Sequence, residues 1–535
     1  MSEPGRTPAS EAAAGVSAAG VDALSPTIGG RDRGRSARAA LSLGSGWLRT
    51  AVTTAAGLIA TPLLVRYLGA ERYGAFRMSE QWFAYLPFLL FGLNGALFVL
   101  QFQAVTRGGP SELLGATRTG FRLLLRQMRI LVPAGLLMAL LFPQIFGLGE
   151  ELAWEYYWAV PAILLMILLA PMDVVRTMLE ASQRLYLVNL GLVLQAVLLA
   201  VVGVGFAWAG FGLTGQLWTS LIALGACMLF LVACSGITRE RLRNAPEVEL
   251  PRQAVWRLRW PLFVAGLCNQ FNQVSDALLA GALFGTVQVT MLVLTQRLFQ
   301  LASTVGSAMG GGPIWVGIVD LREKEGPEAF SRRMVEVTKL NVGICLFVMG
   351  PVVALNERFV GMWVGPEQYG GWAVSVATLL QTVAFTFMLL YAAVLDVMGK
   401  TRERVGIAVA CALVKVGLIF PFCHWFGLAG LPLASAVAYL STEGWYSPRL
   451  LARRYGLSGW GTVRAAGKSL ILGGLWVGLC FALSQRGWLV LDGWIALGVE
   501  AVVLEGVGIL LCWWLVLSGP DRALWKVRVR RWVGR

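Results

Sequence analysis

The chain has 535 residues, 57% hydrophobic and only 14% charged, with a formal net charge of +15. A soluble globular domain carries about 25% charged residues, so this composition excludes an ordinary soluble fold. The charge does not mark a nucleic-acid binder either, because the basic residues sit in short loops between apolar runs rather than on one folded face.

The first 40 residues are rich in Ala, Gly, Ser, Pro and Arg, as at Arg31, Arg33, Arg35 and Arg38, and contain no apolar core. They read as a disordered cytoplasmic tail rather than a cleavable signal. Beyond them, apolar runs of about 20 residues recur, each long enough to cross ~30 Å of hydrocarbon as a helix. The runs predict spans at 44–68, 79–105, 127–148, 156–180, 185–209, 213–235, 260–284, 287–316, 339–361, 371–396, 405–425, 427–447, 466–485 and 492–517. The expectation is an all-α polytopic membrane protein of about fourteen transmembrane helices.

Charge tests that count. With the N-terminus inside, predicted cytoplasmic segments hold Arg107, Arg118, Arg122, Arg126 and Arg129, then the central 236–259 loop with its six arginines. Arg322, Lys324, Arg332, Arg333 and Lys339 follow, then Lys400, Arg402 and Arg404, then Arg449, Arg453, Arg454, Arg464 and Lys468, and the tail from Arg522. Predicted outside loops carry Arg72, Arg77, Arg358 and Arg486, and one is acidic through Glu150, Glu151 and Glu155. This asymmetry places both termini in the cytoplasm of a multi-pass inner-membrane protein. The eight cysteines fall inside apolar segments without metal-binding spacing, so neither a disulfide framework nor a metal site is expected.

The chain also repeats. FGLTG at 211–215 returns as FGLAG at 426–430, and PLL at 62–64 as ALL at 277–279, both at an offset of 215. Gly69 matches Gly285, Glu180 matches Asp396 and Gly95 matches Gly311 at 216. Spans 1–6 and 7–12 therefore read as two copies of a six-helix unit, inserted the same way up, with a substrate site near the midplane between them. The implied organisation is a tail over 1–40, an N-terminal bundle over 41–236, a cytoplasmic linker over 237–259 and a C-terminal bundle over 260–448. An additional helical hairpin over 449–517 and a basic cytoplasmic tail over 518–535 complete it.

The stretch TPLLVRYLGAERYGAF at 61–76 resembles the exit from the first helix of polysaccharide and oligosaccharide-lipid flippases. DALLAGALFG at 276–285, followed by LTQRL at 294–298, is similar to the matching second-half segment, although TVQVT at 286–290 departs from the usual ending. The resemblance covers about residues 42–447 and points to the multidrug/oligosaccharidyl-lipid/polysaccharide (MOP) flippase superfamily. It implies two six-helix bundles that rock about a central cavity in a bacterial inner membrane. The cargo it implies is a sugar chain on a polyprenyl pyrophosphate carrier, and polysaccharide polymerase or assembly proteins are the expected protein partners alongside membrane lipids.

Ionisable residues in the apolar runs are the candidate cavity residues, since each costs about 2.5–3.5 kcal/mol to insert. Arg297 lies near the midplane of span 8, too deep to snorkel, where it either faces the cavity or joins an interhelical ion pair. Lys415 in span 11 either lines the cavity or pairs with Glu500 or Glu505 to anchor the hairpin. Asn269, Asn272, Gln273 and Asp276 recur at helical spacing along one face of span 7, and Gln296, Gln300, Thr304 and Ser307 do so on span 8. These stripes form either a wet wall holding a cation and its counter-ion or a hydrogen-bonded seam. Arg49 is near the cytoplasmic end of span 1 and either snorkels or contributes a cavity cation, as the resemblance implies. Asp173, Arg176 and Glu180 read as a self-neutralising ladder.

The sign of the free charge favours an anionic cargo such as a diphosphate, with Asp276 as the contrary residue. His424 is the sole histidine, and no metalloprotease, Walker or acidic-pair motif is present, so no enzyme activity, cofactor or nucleic-acid partner is expected. Three functions remain open: a flippase for lipid-linked oligosaccharide (or lipid II), a cation-coupled multidrug exporter on the same fold, and an envelope-synthesis scaffold or enzyme.

Overall fold

The computed structural model describes residues 32–90, 92–107, 109–246, 252–309, 312–398, 401–488 and 493–517, with 519 and 522. Residues 1–31, most of 518–535 and Gly311 fall outside this set, and so do the side chains of Thr304, Ser307 and Asp396. Every regular element among the described residues is helical.

The N-terminal half contains α1 (Asp32–Phe83), α2 (Leu93–Arg107), α3 (Gly109–Ile145), α4 (Glu150–Tyr157), α5 (Val160–Leu169), α6 (Asp173–Ala181), α7 (Leu185–Trp208) and α8 (Gly212–Ser235). A short α9 (Arg239–Asn244) joins the C-terminal half: α10 (Arg252–Phe284), α11 (Thr286–Thr295), α12 (Arg297–Met309), α13 (Gly312–Glu325), α14 (Pro327–Val364), α15 (Trp372–Val397), α16 (Thr401–Phe426), α17 (Gly430–Ser441) and α18 (Glu443–Tyr455). The added hairpin is α19 (Gly459–Gln485) and α20 (Trp494–Leu511). The first helix begins at Asp32 rather than 44, inside the expected tail, and α18 runs across the expected boundary at 448/449.

Ten stretches among the described residues are long and apolar enough to cross a membrane. Two of them, Ala40–Leu90 and Glu403–Tyr455, fold back at Gly69 and Gly427 and so contain more than one predicted span. The predicted spans at 260–284 and 287–316 are not among the ten. These two carry the polar stripes, and the same residues that lower their hydropathy give them a reason to face protein or water. Prolines break other spans: Pro87 sits in a 3₁₀ turn over Leu86–Leu90 between α1 and α2, and Pro171 in one over Ala170–Met172.

Backbone geometry shows the repeat directly. Gly69 ends the first span at φ 79°, ψ 165°, and its counterpart Gly285 stands at φ 92°, ψ 171°. Gly212 and Gly427, the second matched pair, have φ of 54° and 55°. An L side chain rarely adopts these values, so both copies turn at the same places by the same device.

Gly69, Gly212, Gly285 and Gly427 lie at one end of the bundle, and the basic loops lie at the other. The two halves meet chiefly at the glycine end. There α1 packs on α10 and α11, and α14 reaches back to α1. Thr290 Oγ1 donates to Ala70 O at 2.6 Å there, and nearer mid-depth Trp363 Nε1 donates to Leu58 O at 2.8 Å. A β-carbon on Gly74 would overlap Thr286 O, and one on Gly281 would strike Met78. Further toward the basic loops, among the described residues, neither α12 nor α13 packs extensively on α1.

The hairpin packs on the C-terminal half. Gly350 admits Trp476, Gly473 admits Leu346, and Gly343 admits Val516. Three side-chain bonds lock the seam: Trp476 Nε1 to Phe347 O at 3.0 Å, Ser469 Oγ to Lys339 O at 2.9 Å and Ser484 Oγ to Ala354 O at 2.9 Å. Small residues with a few hydrogen bonds are the usual means of joining helices in lipid.

The backbone approach at Gly74 gives a test of the closed glycine end. In a cysteine-free background, disulfide trapping between Ala70→Cys and Thr290→Cys is expected to fall about threefold or more when Gly74→Ala is added. Unaltered trapping would mean that this contact does not hold the end shut.

Candidate functional site

The span that begins at Gly285 is interrupted at Gln296, where α11 hands over to α12. The carbonyl of Thr295 at this break accepts from Asn356 Nδ2 at 3.0 Å, and Asn356 also donates to Ser375 Oγ at 3.0 Å. Thr295 Oγ1 accepts from Gly370 N at 2.8 Å. A buried asparagine thus satisfies the disrupted helix, as the absence of water in hydrocarbon demands.

Arg297 is the first residue past this break, ~18 Å along the helix from Gly285 and so near the middle of a ~30 Å span. Its guanidinium lies against Gly57 of α1, where a β-carbon would overlap Nη2. Gly57 is ~18 Å along α1 from Gly69, so the two helices meet at matching depth. Arg297 is half-buried, and among the described residues no carboxylate pairs with it, while its Nε is buried without an acceptor. The charge of Arg77 acts on it electrostatically, as does Tyr73. Arg77 itself is paired with Glu80 at 2.6 Å.

Arg77 is a charged residue near this junction that is not among the candidates read from the sequence. It was expected in an outside loop, but it lies eight residues past the Gly69 turn, within α1, facing the junction of the halves. Its signal was the Arg77–Glu80 spacing of three on a helix, which loop bookkeeping hid.

The expected polar wall separates into two groups. Asp276 and Asn272 turn into the C-terminal half and are buried, whereas Gln273 is exposed and Asn269 half-buried. Asp276 Oδ1 lies 2.8 Å from Lys415 Nζ, and Lys415 is completely buried. The ammonium also donates to Ser275 Oγ at 2.9 Å, Asn272 O at 3.0 Å and Phe271 O at 3.3 Å. Asp276 in turn accepts from Gln381 Nε2 at 2.8 Å and Ser435 Oγ at 3.2 Å. Lys415 was expected either to line the cavity or to pair with Glu500 or Glu505; it does neither, being fully buried against Asp276, which is thereby its counter-ion rather than that of Arg297. The hairpin glutamate Glu500 instead takes Arg358 at 2.6 Å.

The remaining candidates are separate from Arg297. Arg49 is ~30 Å along α1 from Gly69, at the basic end, half-buried and without an ion pair among the described residues. Gln300 is exposed one turn beyond Arg297. The ladder on α6 forms as expected, with Arg176 3.1 Å from Glu180 and 3.8 Å from Asp173. Among the described residues no cluster of three or more metal-type ligands occurs. A cavity of about 580 Å³ between α1 and α7, lined by Leu41, Leu48 and Leu190 among others, is apolar and distant from Arg297.

The arrangement of helices is shared with solved structures of membrane transporters. Among solved structures, the chain is similar to the lipid II flippase MurJ in an inward closed conformation, with a TM-score of 0.61 at 14% identity over 87% of this chain and 97% of that one. It is also similar to an inward-facing multidrug resistance MATE family transporter of the MOP superfamily, at TM-score 0.59 and 15% identity over 81% and 96%. An outward-facing MATE family transporter of the same superfamily matches at 0.52 and 15% over 83% and 96%. These likenesses establish the fold. No family profile and no curated protein sequence matches the chain.

The Asp276–Lys415 pair yields a stability prediction. Asp276→Asn strands a buried ammonium and is expected to destabilise the protein by about 3–5 kcal/mol, while Asp276→Leu with Lys415→Met restores most of it. Thermal unfolding in detergent checks this; a double variant no better than the single would show that the stranded ammonium is not what destabilises the single variant.

Proposed function

We propose that this protein is a flippase that moves a polyprenyl-pyrophosphate-linked oligosaccharide across the bacterial inner membrane by alternating access. The observation that carries the reading is Arg297: a mid-depth guanidinium between two repeated halves, with no carboxylate neutralising it among the described residues. A diphosphate is the complementary ligand, since charge-assisted bonds from Arg to phosphate strengthen in a low-dielectric setting. Of the carboxylates near the junction among the described residues, Asp276 is engaged by Lys415 and Glu80 by Arg77, which leaves them less available to a cationic drug.

The conformation fits such a cycle. Among the described residues, contact between the halves is concentrated at the glycine end, which favours access from the end of the basic loops, the cytoplasmic end by the positive-inside rule. The higher similarity to the inward-facing than to the outward-facing transporter agrees with this state. Cargo made inside would enter from that end, with its lipid tail left in the bilayer.

The test uses vesicles reconstituted with purified protein and a fluorescent polyprenyl-pyrophosphate sugar. Arg297→Ala is expected to reduce translocation by about tenfold or more, and Arg297→Lys to retain part of it, with insertion and abundance unchanged. Wild-type rates in Arg297→Ala would overturn the reading, and loss of protein instead of transport would assign the arginine a structural role. Complementation of strains lacking an oligosaccharide-lipid or a lipid II flippase separates those two cargoes, and resistance to cationic drugs in a sensitised strain would favour an exporter.

A further inference from the structure

The structure holds a second cationic site, away from the junction of the halves. Helix α18 follows α17 after a break at Thr442, whose backbone departs from helical values at φ −115°, ψ −83°. Its inner face is buried through Glu443, Ser447, Leu450 and Leu451. Its outer face presents Trp445, Tyr446, Arg449 and Arg453, all exposed. A cavity of about 340 Å³ opens on this face, lined by Trp445, Tyr446, Arg449, Leu450, Arg453 and Arg454.

Two of the three arginines are uncommitted. Arg454 Nη1 reaches Glu403 at 3.0 Å. Arg449 lies over the Trp445 ring, 5.8 Å from its centroid, and the indole N–H donates to Ser441 O. Among the described residues neither Arg449 nor Arg453 has a carboxylate partner. They are four residues apart, so they stand on one helical face and repel each other unless an anion lies between them.

Depth identifies the source of that anion. Counting from Gly430 at the glycine end, Trp445 lies ~22 Å, Arg449 ~28 Å and Arg453 ~34 Å along the chain of helices. On that count the indole and the Arg449 backbone fall just inside the edge of a ~30 Å hydrocarbon layer, from which the long Arg449 side chain reaches the headgroups, and Arg453 falls at headgroup level. Leu440, exposed just before the break, extends the same flank as an apolar surface. A ligand bound here has a phosphate for the arginines and an acyl chain for Leu440 and Trp445.

We propose that this cavity on α18 binds the phosphate of an acidic phospholipid from the leaflet at the basic end. Arg449 and Arg453 take the phosphate oxygens, Trp445 holds Arg449 in place and covers the start of an acyl chain, and Tyr446 closes the rim. The site is separate from Arg297 and independent of the cargo assigned above.

The experiment is native mass spectrometry of the purified full-length protein titrated with phosphatidylglycerol, phosphatidylcholine or inorganic phosphate. Phosphatidylglycerol adducts are expected to persist where phosphatidylcholine adducts do not. The pair Arg449→Gln with Arg453→Gln is expected to weaken phosphatidylglycerol retention about tenfold or more, and Arg486→Gln at the opposite end to leave it unchanged. If the double variant fails to fold, Arg453→Gln alone, at an exposed and unpaired side chain, gives the same direction with a loss of about threefold. Equal retention by wild type and variants would overturn the site. Inorganic phosphate binding as tightly as the lipid, and displacing it, would overturn the lipid assignment in favour of a soluble phosphate.

Discussion

A charged group inside hydrocarbon must be paired, hydrated or neutralised, and the interior of this bundle is organised by that constraint. Lys415 is the clearest case: a completely buried ammonium ringed by a carboxylate, a hydroxyl and two carbonyls from α10. Arg358 finds Glu500, Arg176 finds Glu180, and Arg77 finds Glu80. Each pairing removes a charge from the set available to a ligand. Arg297 stands apart from them because the surface it faces on α1 is Gly57, which offers space and no counter-charge.

That arrangement depends on the break at Gln296. An uninterrupted helix would satisfy its own carbonyls and would need no partner from α14. By opening one turn, the span hands the Thr295 carbonyl to Asn356 and fixes α11, α14 and α15 together just before the arginine. The flexible end of Arg297 therefore projects from a rigid base. Irregular backbone at this depth is tolerated only where protein or water replaces the lost bonds, and Asn356 is that replacement.

Much of the fold was legible in the sequence because hydrocarbon imposes long apolar runs and because glycine marks the turns. The offset joining Gly69 to Gly285 and Gly212 to Gly427 survives as matched dihedral angles. The interrupted spans were not legible as such: Pro87 and Pro171 sit within runs whose composition stays apolar across the break. The site was readable only in part. Spacing placed Arg297 at mid-depth and put Asn272 and Asp276 on one face, but spacing carries no information about which neighbour that face meets. Lys415 lies 139 positions from Asp276, and only the packing of α10 on α16 brings them together. Arg77 was missed for the converse reason, since a charge close to a turn looks like a loop residue until the helix is seen to start at once.

The seam between α14 and α19 has a mechanical consequence. Glycine notches, an indole and two serines bind the hairpin to the C-terminal half, while no extensive packing joins it to the N-terminal half among the described residues. The two halves are therefore unequal bodies, since the C-terminal one carries the hairpin as an outrigger. Any relative rotation sweeps the hairpin through the surrounding lipid along a longer arc than the core helices travel. In the proposed alternating access, drag on that outrigger would leave the lighter N-terminal body to turn more within the bilayer.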